Sequence, residues 1–243
     1  MIPIISIASL VSAIISLGAT LRVFLIYRQR KNDALWYFGV WFAVITVMFS
    51  FFASEGVITS GAVSAFMDAI GTSFVYVSCV LLIQIPFIFL NKREWGVISG
   101  IVIATAGLVF LIGLLLDPVP SVQLVLGPYL FWETQYPQWL STYTGIVAGI
   151  TTLTFTLTFL YLGYRGKRDF IILRRSAYLA GGMLSLMLAA ISLLALPQGV
   201  FVAGMVFGSL AMVTGVILLY YGLLWMPSTI SHVDIGESDN DIL

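Results

Sequence analysis

Charge is what this sequence has least of. Of its 243 residues only 9% are Asp, Glu, Lys or Arg, and there is one cysteine and one histidine. A soluble globular chain carries about 25% charge. Too few charges are present to cover a water-soluble protein of this size, so a soluble enzyme is excluded. A hydrophobic content of 60% equally excludes a disordered chain. Cys79, standing alone, can form no internal disulfide. The lone His232 cannot supply two axial haem ligands or a three-histidine zinc site. No apolar run holds an interior lysine for a retinal Schiff base, and no glycine-rich phosphate motif opens a helix after a strand. No cofactor, no metal and no enzymatic activity are expected, and nucleic acid is not an expected partner.

What the chain does have is long apolar runs. A helix needs roughly 20 apolar residues to cross about 30 Å of hydrocarbon. Seven runs meet that length, near 2–27, 34–52, 62–90, 95–116, 139–163, 176–196 and 200–225. The expected fold class is all-α: a polytopic membrane protein with a single seven-helix transmembrane bundle over 1–226, its first partner being the lipid bilayer. Residues 227–243 read as a disordered acidic tail carrying Asp234, Glu237, Asp239 and Asp241.

The cations set the orientation. Arg22, Arg28, Arg30 and Lys31 close the first run. Lys92 and Arg93 follow the third. Arg165, Lys167, Arg168, Arg174 and Arg175 fall between the fifth and sixth, which accounts for all 11 Lys and Arg. The positive-inside rule makes these connections cytoplasmic, with the N-terminus outside and the C-terminus in the cytoplasm. A multi-pass protein of a prokaryotic plasma membrane is expected. The first run has no preceding positive region and is too long for a cleaved signal peptide. The segment from Tyr27 to Asn32 is echoed from Tyr164 to Asp169, which would fit two parallel repeats joined by the fourth run.

Ionisable groups inside a bilayer are costly and mark candidate sites. Asp68 lies about two turns inside the third run, and Thr72, Tyr76 and Cys79 share its helical face. This stripe descends from the outer surface and reads either as a ligand pocket or ion path, or as a hydrated interfacial carboxylate with hydroxyl neighbours. Glu55, at the outer end of the second run, could join Asp68 at a mouth. Gln84 lies off the stripe and suits a helix–helix hydrogen bond, while Arg22 can snorkel. Small residues recur at helical spacing: Gly96, Gly100, Ala104 and Gly107; Gly145 and Gly149; Gly204, Gly208, Ala211 and Gly215. Such faces let backbones approach closely in lipid, within the chain or across a homo-oligomer seam. The longest outer connection, 117–138, is rich in proline and aromatics and reads as a lid or collar. Tyr129, Trp132, Glu133 and Tyr136 are its candidates for a partner surface, against plain interfacial anchoring.

The layout resembles the seven-span sensor region that precedes some bacterial and archaeal histidine kinases and cyclases. The similar features are the outward N-terminus, the basic connection after the first run, and the aromatic second run with Trp36, Tyr37 and Trp41. Gly127, Pro128, Tyr129, Phe131 and Trp132 before the fifth run, and Arg174 and Arg175 entering the sixth, complete the likeness. The resemblance implies spans that sense a small or lipophilic ligand and pass the signal to a cytoplasmic domain. No output domain follows the seventh run here, so a sensor or accessory subunit acting through a partner polypeptide is expected. The alternative from another class is a small-solute or ion transporter or channel using the Asp68 stripe. The orientation has a direct check: single cysteines at Gln29, Glu94 or Gly166 should label only from the cytoplasm, and one at Thr134 only from outside. External labelling at Gly166 would invert it.

Overall fold

A computed structural model describes residues 3–117, 120–126, 129–194 and 201–224. The acidic tail with His232, and Gly127 and Pro128, lie outside the described residues, and Glu133 is described in its backbone alone. Among the described residues, seven helices are long and apolar enough to cross a membrane. They are α1 (Ile4–Arg30), α2 (Asp33–Ser54), α3 (Gly61–Phe89), α4 (Arg93–Leu116), α5 (Gln138–Arg165), α6 (Phe170–Leu194) and α7 (Phe201–Leu224). A single 3₁₀ turn, Glu55–Val57, joins α2 to α3.

Helix ends follow local chemistry. Lys31 ends α1 in the left-handed region at φ 43°, its N–H bonded to the Tyr27 carbonyl. Asn32 Oδ1 then accepts from the Ala34 N–H at 2.8 Å and caps α2. Asp169 Oδ1 caps α6 in the same way, accepting from Ile171 at 2.8 Å. Asn32 and Asp169 are the last residues of the two echoed segments, so the echo extends to helix capping. The basic residues thereby gather at one end of the bundle, here called the basic end. One boundary needs correcting: Arg174 and Arg175 lie inside α6, because Asp169 starts that helix at Phe170.

The centre is aromatic. Phe38, Trp41, Phe42, Ile45 and Phe49 of α2 are all buried, and Phe38 meets Phe155 of α5 edge-on with ring centroids 6.1 Å apart. Phe155 and Phe159 follow at 4.5 Å. The outer surface is apolar instead of charged: Ile14, Leu21, Ile101, Leu108, Ile150 and Leu210 are exposed. That surface is compatible with a membrane helical bundle. Hydroxyls inside the helices bond back to their own turns, as Thr151, Thr152, Thr154 and Thr158 do along α5.

Small residues divide into two groups. Gly182 of α6 and Gly215 of α7 mark a close crossing, where a Cβ on Gly215 would stand 2.8 Å from Leu186 Cγ and 2.9 Å from the Gly182 carbonyl. The Gly96–Gly100 face of α4 holds the Gln84 side chain, whose amide donates to the Gly96 carbonyl at 2.9 Å. Gly107 receives the Tyr76 ring. Gly145 and Gly149, expected to pack, have nothing near them, since α5 turns that face outward.

The element that helical periodicity could not supply is a β-hairpin between α4 and α5. Its strands β1 (Ser121–Leu126) and β2 (Tyr129–Thr134) pair antiparallel, with Ser121 opposite Thr134 and Gln123 opposite Trp132. It sits at the end of the bundle remote from the cations.

Replacing Gly215 with Leu should cost about 1–3 kcal/mol by overfilling the α6–α7 crossing, read as a lowered melting temperature in detergent. Gly145→Leu should leave it unchanged. Equal melting of both variants would contradict this helix arrangement.

Candidate ligand site at the hairpin end

Three pieces of chain meet at the hairpin end. On α3, Ser64, Asp68, Thr72 and Tyr76 step down one face at intervals of one turn. The 3₁₀ turn after α2 supplies Glu55. The hairpin and the residues after it supply Thr134 and Tyr136.

The hairpin is held down firmly. Trp132 Nε1 donates to the Ile58 carbonyl at 3.2 Å, and Ser121 Oγ and Thr134 Oγ1 are 2.7 Å apart. Gly61 is needed at the start of α3, because a Cβ there would stand 2.7 Å from the Ser121 carbonyl oxygen. Gln135 N–H closes onto the Pro120 carbonyl at 3.1 Å, which turns the chain so that Tyr136 enters the bundle. Its ring packs against Phe110 of α4 with centroids 6.0 Å apart.

The polar groups then face one another. Asp68 is half-buried and is approached by Tyr136 and Thr134, while Tyr136 also faces Thr72 and Glu55. Glu55 and Asp68 are close enough for their charges to interact. Burial, and then the neighbouring Asp68 carboxylate, push the Tyr136 hydroxyl well above the usual phenol range, so it stays a neutral donor. Hydrogen bonding is incomplete. Tyr136 Oη is directed at Asp68 and Thr72 without a bond of ordinary length and angle, and Ser64 Oγ and Glu55 Oε1 are likewise buried with no partner among the described residues. Buried polar atoms are normally satisfied, so several unsatisfied in one place mark room for a ligand or water.

The floor of this mouth is closed. Tyr76 is 4% exposed and lies against the Phe110 ring at 5.2 Å. Its hydroxyl is 2.9 Å from Thr144 Oγ1. Thr144 spends its own proton on the Leu140 carbonyl, which makes Tyr76 the donor. Cys79 lies below in an apolar cluster with Ile83 and Ile103 and takes no part in the mouth.

Of the residues singled out from sequence, Glu55, Asp68, Thr72 and Tyr136 come together, Tyr76 forms the floor, and Cys79 is separate. Trp132 and Tyr136 turn toward the bundle, and Tyr129 is half-buried at the hairpin tip opposite Leu126. Sequence reading missed Ser64 and Thr134. Extending the Asp68 stripe up by one turn would have found Ser64; Thr134 depends on the hairpin register. The donor set is all oxygen, with two carboxylates and several hydroxyls. No cluster of three or more Asp, Glu, His or Cys suited to a metal occurs among the described residues. Such a set suits a proton, a monovalent cation or an ammonium group better than a transition metal.

No family model matches this chain, and no curated protein compared with it matches either.

In the ligand-free protein, Tyr76→Phe should cost about 0.5–1.5 kcal/mol through its lost hydrogen bond. Tyr136→Phe should cost less than Tyr76→Phe, because its hydroxyl faces Asp68 and Thr72 without a bond of ordinary length and angle. Thermal unfolding in detergent distinguishes them, and an equal loss in both would mean that the mouth is a filled polar core.

Proposed function

We propose that this chain is a non-enzymatic integral membrane protein of a prokaryotic plasma membrane, acting as a sensor or accessory subunit through a partner polypeptide. In this reading the basic end is cytoplasmic by the positive-inside rule. The hairpin-end mouth then faces outward and receives a small ligand, with the Asp68 and Glu55 carboxyl groups among its contacts.

The observation that carries the reading is that the polar stripe is a dead end. Below Asp68 and Thr72 it meets Tyr76, bonded to Thr144 and tilted against Phe110. Beneath that come Cys79, Leu82, Ile83 and Ile85, each at most 4% exposed. A site entered from one side and closed on the other binds without conducting. Signals then pass by shifting α3 against α2 and α5, since a ligand changes an equilibrium only through unequal affinity for two states.

Transport is the second reading, and one observation favours it. Ser12, Ser16, Trp41, Thr156 and Ser209 have buried polar atoms without partners among the described residues, spread over α1, α2, α5 and α7. Buried hydroxyls of this kind are where internal water collects.

Reconstitution separates the two. Liposomes containing the protein should show no uptake of protons, alkali cations or small amines above empty liposomes, while gentle purification should retain a stoichiometric companion subunit. Reproducible cation uptake that disappears in Asp68→Asn would replace the sensor reading with transport.

A further inference from the structure

The mouth at the hairpin end holds two carboxyl groups and no Lys or Arg. All 11 Lys and Arg lie elsewhere: none stands on the hairpin, on the 3₁₀ turn or in the hairpin-side half of any helix. Glu55 and Asp68 are close enough for their charges to interact. Two carboxylates side by side in a half-buried place do not both stay ionised unaided. Either one takes up a proton, or a cation stands between them.

Ser64 points to a ligand independently of the acids. It is 0% exposed, and its Oγ has no hydrogen-bond partner among the described residues. It stands one turn above Asp68, on the face of α3 that also carries Thr72. Glu55 Oε1 and Tyr136 Oη are left open in the same way. Buried polar atoms are otherwise satisfied, so three open oxygens beside a carboxyl pair make a place for a donor.

The surroundings favour an organic cation over a bare metal ion. The Trp132 ring lies over the start of α3, 3.5 Å from where a Cβ on Gly61 would stand, and Gly61 is about one turn above Ser64. An indole ring beside carboxyl groups suits a carbon chain with an ammonium head. Glu55, Asp68, Trp132 and Thr134 are each only half-buried, so this end is open to a small solute. A primary ammonium has three N–H donors and no acceptor, which matches a set of carboxyl and hydroxyl oxygens.

We infer that the mouth binds a small primary alkylammonium ion, with its N–H groups on Asp68, Glu55 and the Ser64 hydroxyl and its carbon chain against Trp132. The ammonium takes the place of the proton that the carboxyl pair otherwise requires, while Tyr136 and Thr134 approach Asp68 from the hairpin side. The inference rests on the reading of this mouth as a ligand site and adds the class of ligand.

The test uses the full chain in detergent, with n-propylammonium as the probe and thermal unfolding and calorimetric titration as readouts. Propylammonium should bind saturably and raise the melting temperature; 1-propanol, which has the chain without the charge, should do neither. Tetramethylammonium, a cation without N–H donors, and K⁺ should bind about tenfold more weakly at equal ionic strength, for want of the charge-assisted hydrogen bonds. Asp68→Asn should weaken propylammonium binding about tenfold, the loss of one such contact. Ser64→Ala should weaken it several-fold and leave the melting temperature of the free protein unchanged, since that hydroxyl has no partner to lose. Asp117→Asn removes an exposed carboxylate at the same end of the bundle and should keep full binding.

Equal binding of propylammonium and K⁺ would overturn the inference in favour of an alkali-cation site. Equal weakening in Asp68→Asn and Asp117→Asn would overturn it in favour of diffuse surface charge. No binding of any probe would overturn it and leave the open hydroxyls to water. Binding that appears only after the N-terminal amine is acetylated would assign the mouth to the chain's own amine, since a Cβ on Gly56 would stand 3.3 Å from Pro3 Cβ. These readouts need neither liposomes nor a companion subunit, so a failure of amine binding is distinguishable from a failure of the sensor reading.

Discussion

The rest of the structure depends on the aromatic packing that α2 makes with its neighbours. In hydrocarbon, a bundle with so apolar an exterior would gain little from hiding apolar side chains, because lipid chains solvate them as well as protein does. Dense contact must hold it together instead. Phe38, Phe42 and Phe49 on α2, with Phe155 and Phe159 on α5, place rigid rings at every level of the interior. Their edge-on and tilted contacts add about 0.5–1.5 kcal/mol each beyond simple burial. Around them the Gly182–Gly215 crossing brings α6 and α7 to backbone contact.

That packing separates the two ends of the molecule. At the hairpin end, oxygen donors gather under a covalently continuous lid whose ring and indole groups are fastened to the bundle. At the basic end, two guanidinium groups border an apolar cavity. Phe38 belongs to both the central packing and the wall of that cavity, and it touches Phe155. A change at the basic end therefore has a path of direct contacts into the core. The mouth has its own path through Tyr76, Phe110 and Thr144. The two ends differ in charge and in the side chains that line them.

The polar groups illustrate how one residue type is used in several ways. Threonines on α5 mostly bond to their own helix and contribute nothing new to a site. Thr144 does so as well, yet its oxygen still accepts from Tyr76 and seals the mouth. Tyrosines divide similarly: Tyr76 is satisfied and structural, whereas the buried hydroxyl of Tyr136 faces Asp68 and Thr72 without a bond of ordinary geometry. Only the satisfied hydroxyl is part of the framework.

The number of long helices, the apolar exterior and the gathering of cations at one end were legible in the sequence, because length, hydropathy and charge act locally along the chain. Asp68 stood out for the same reason, as a carboxylate within an apolar run. Asn32 and Asp169 start α2 and α6 through side-chain bonds that reach only two or three residues, a local signal that the hydropathy reading passed over. The hairpin was hidden, because its proline-rich and aromatic composition carries no helical period and its register comes from pairing across a turn. Which glycines pack was hidden too: Gly145 and Gly215 look alike in sequence, but one faces outward and the other meets Gly182. The inward turn of Tyr136 onto Asp68, and the meeting of Arg30 with Arg175, join residues 68 and 145 positions apart. Contacts of that range exist only once helices have chosen their neighbours, and that choice belongs to the tertiary structure.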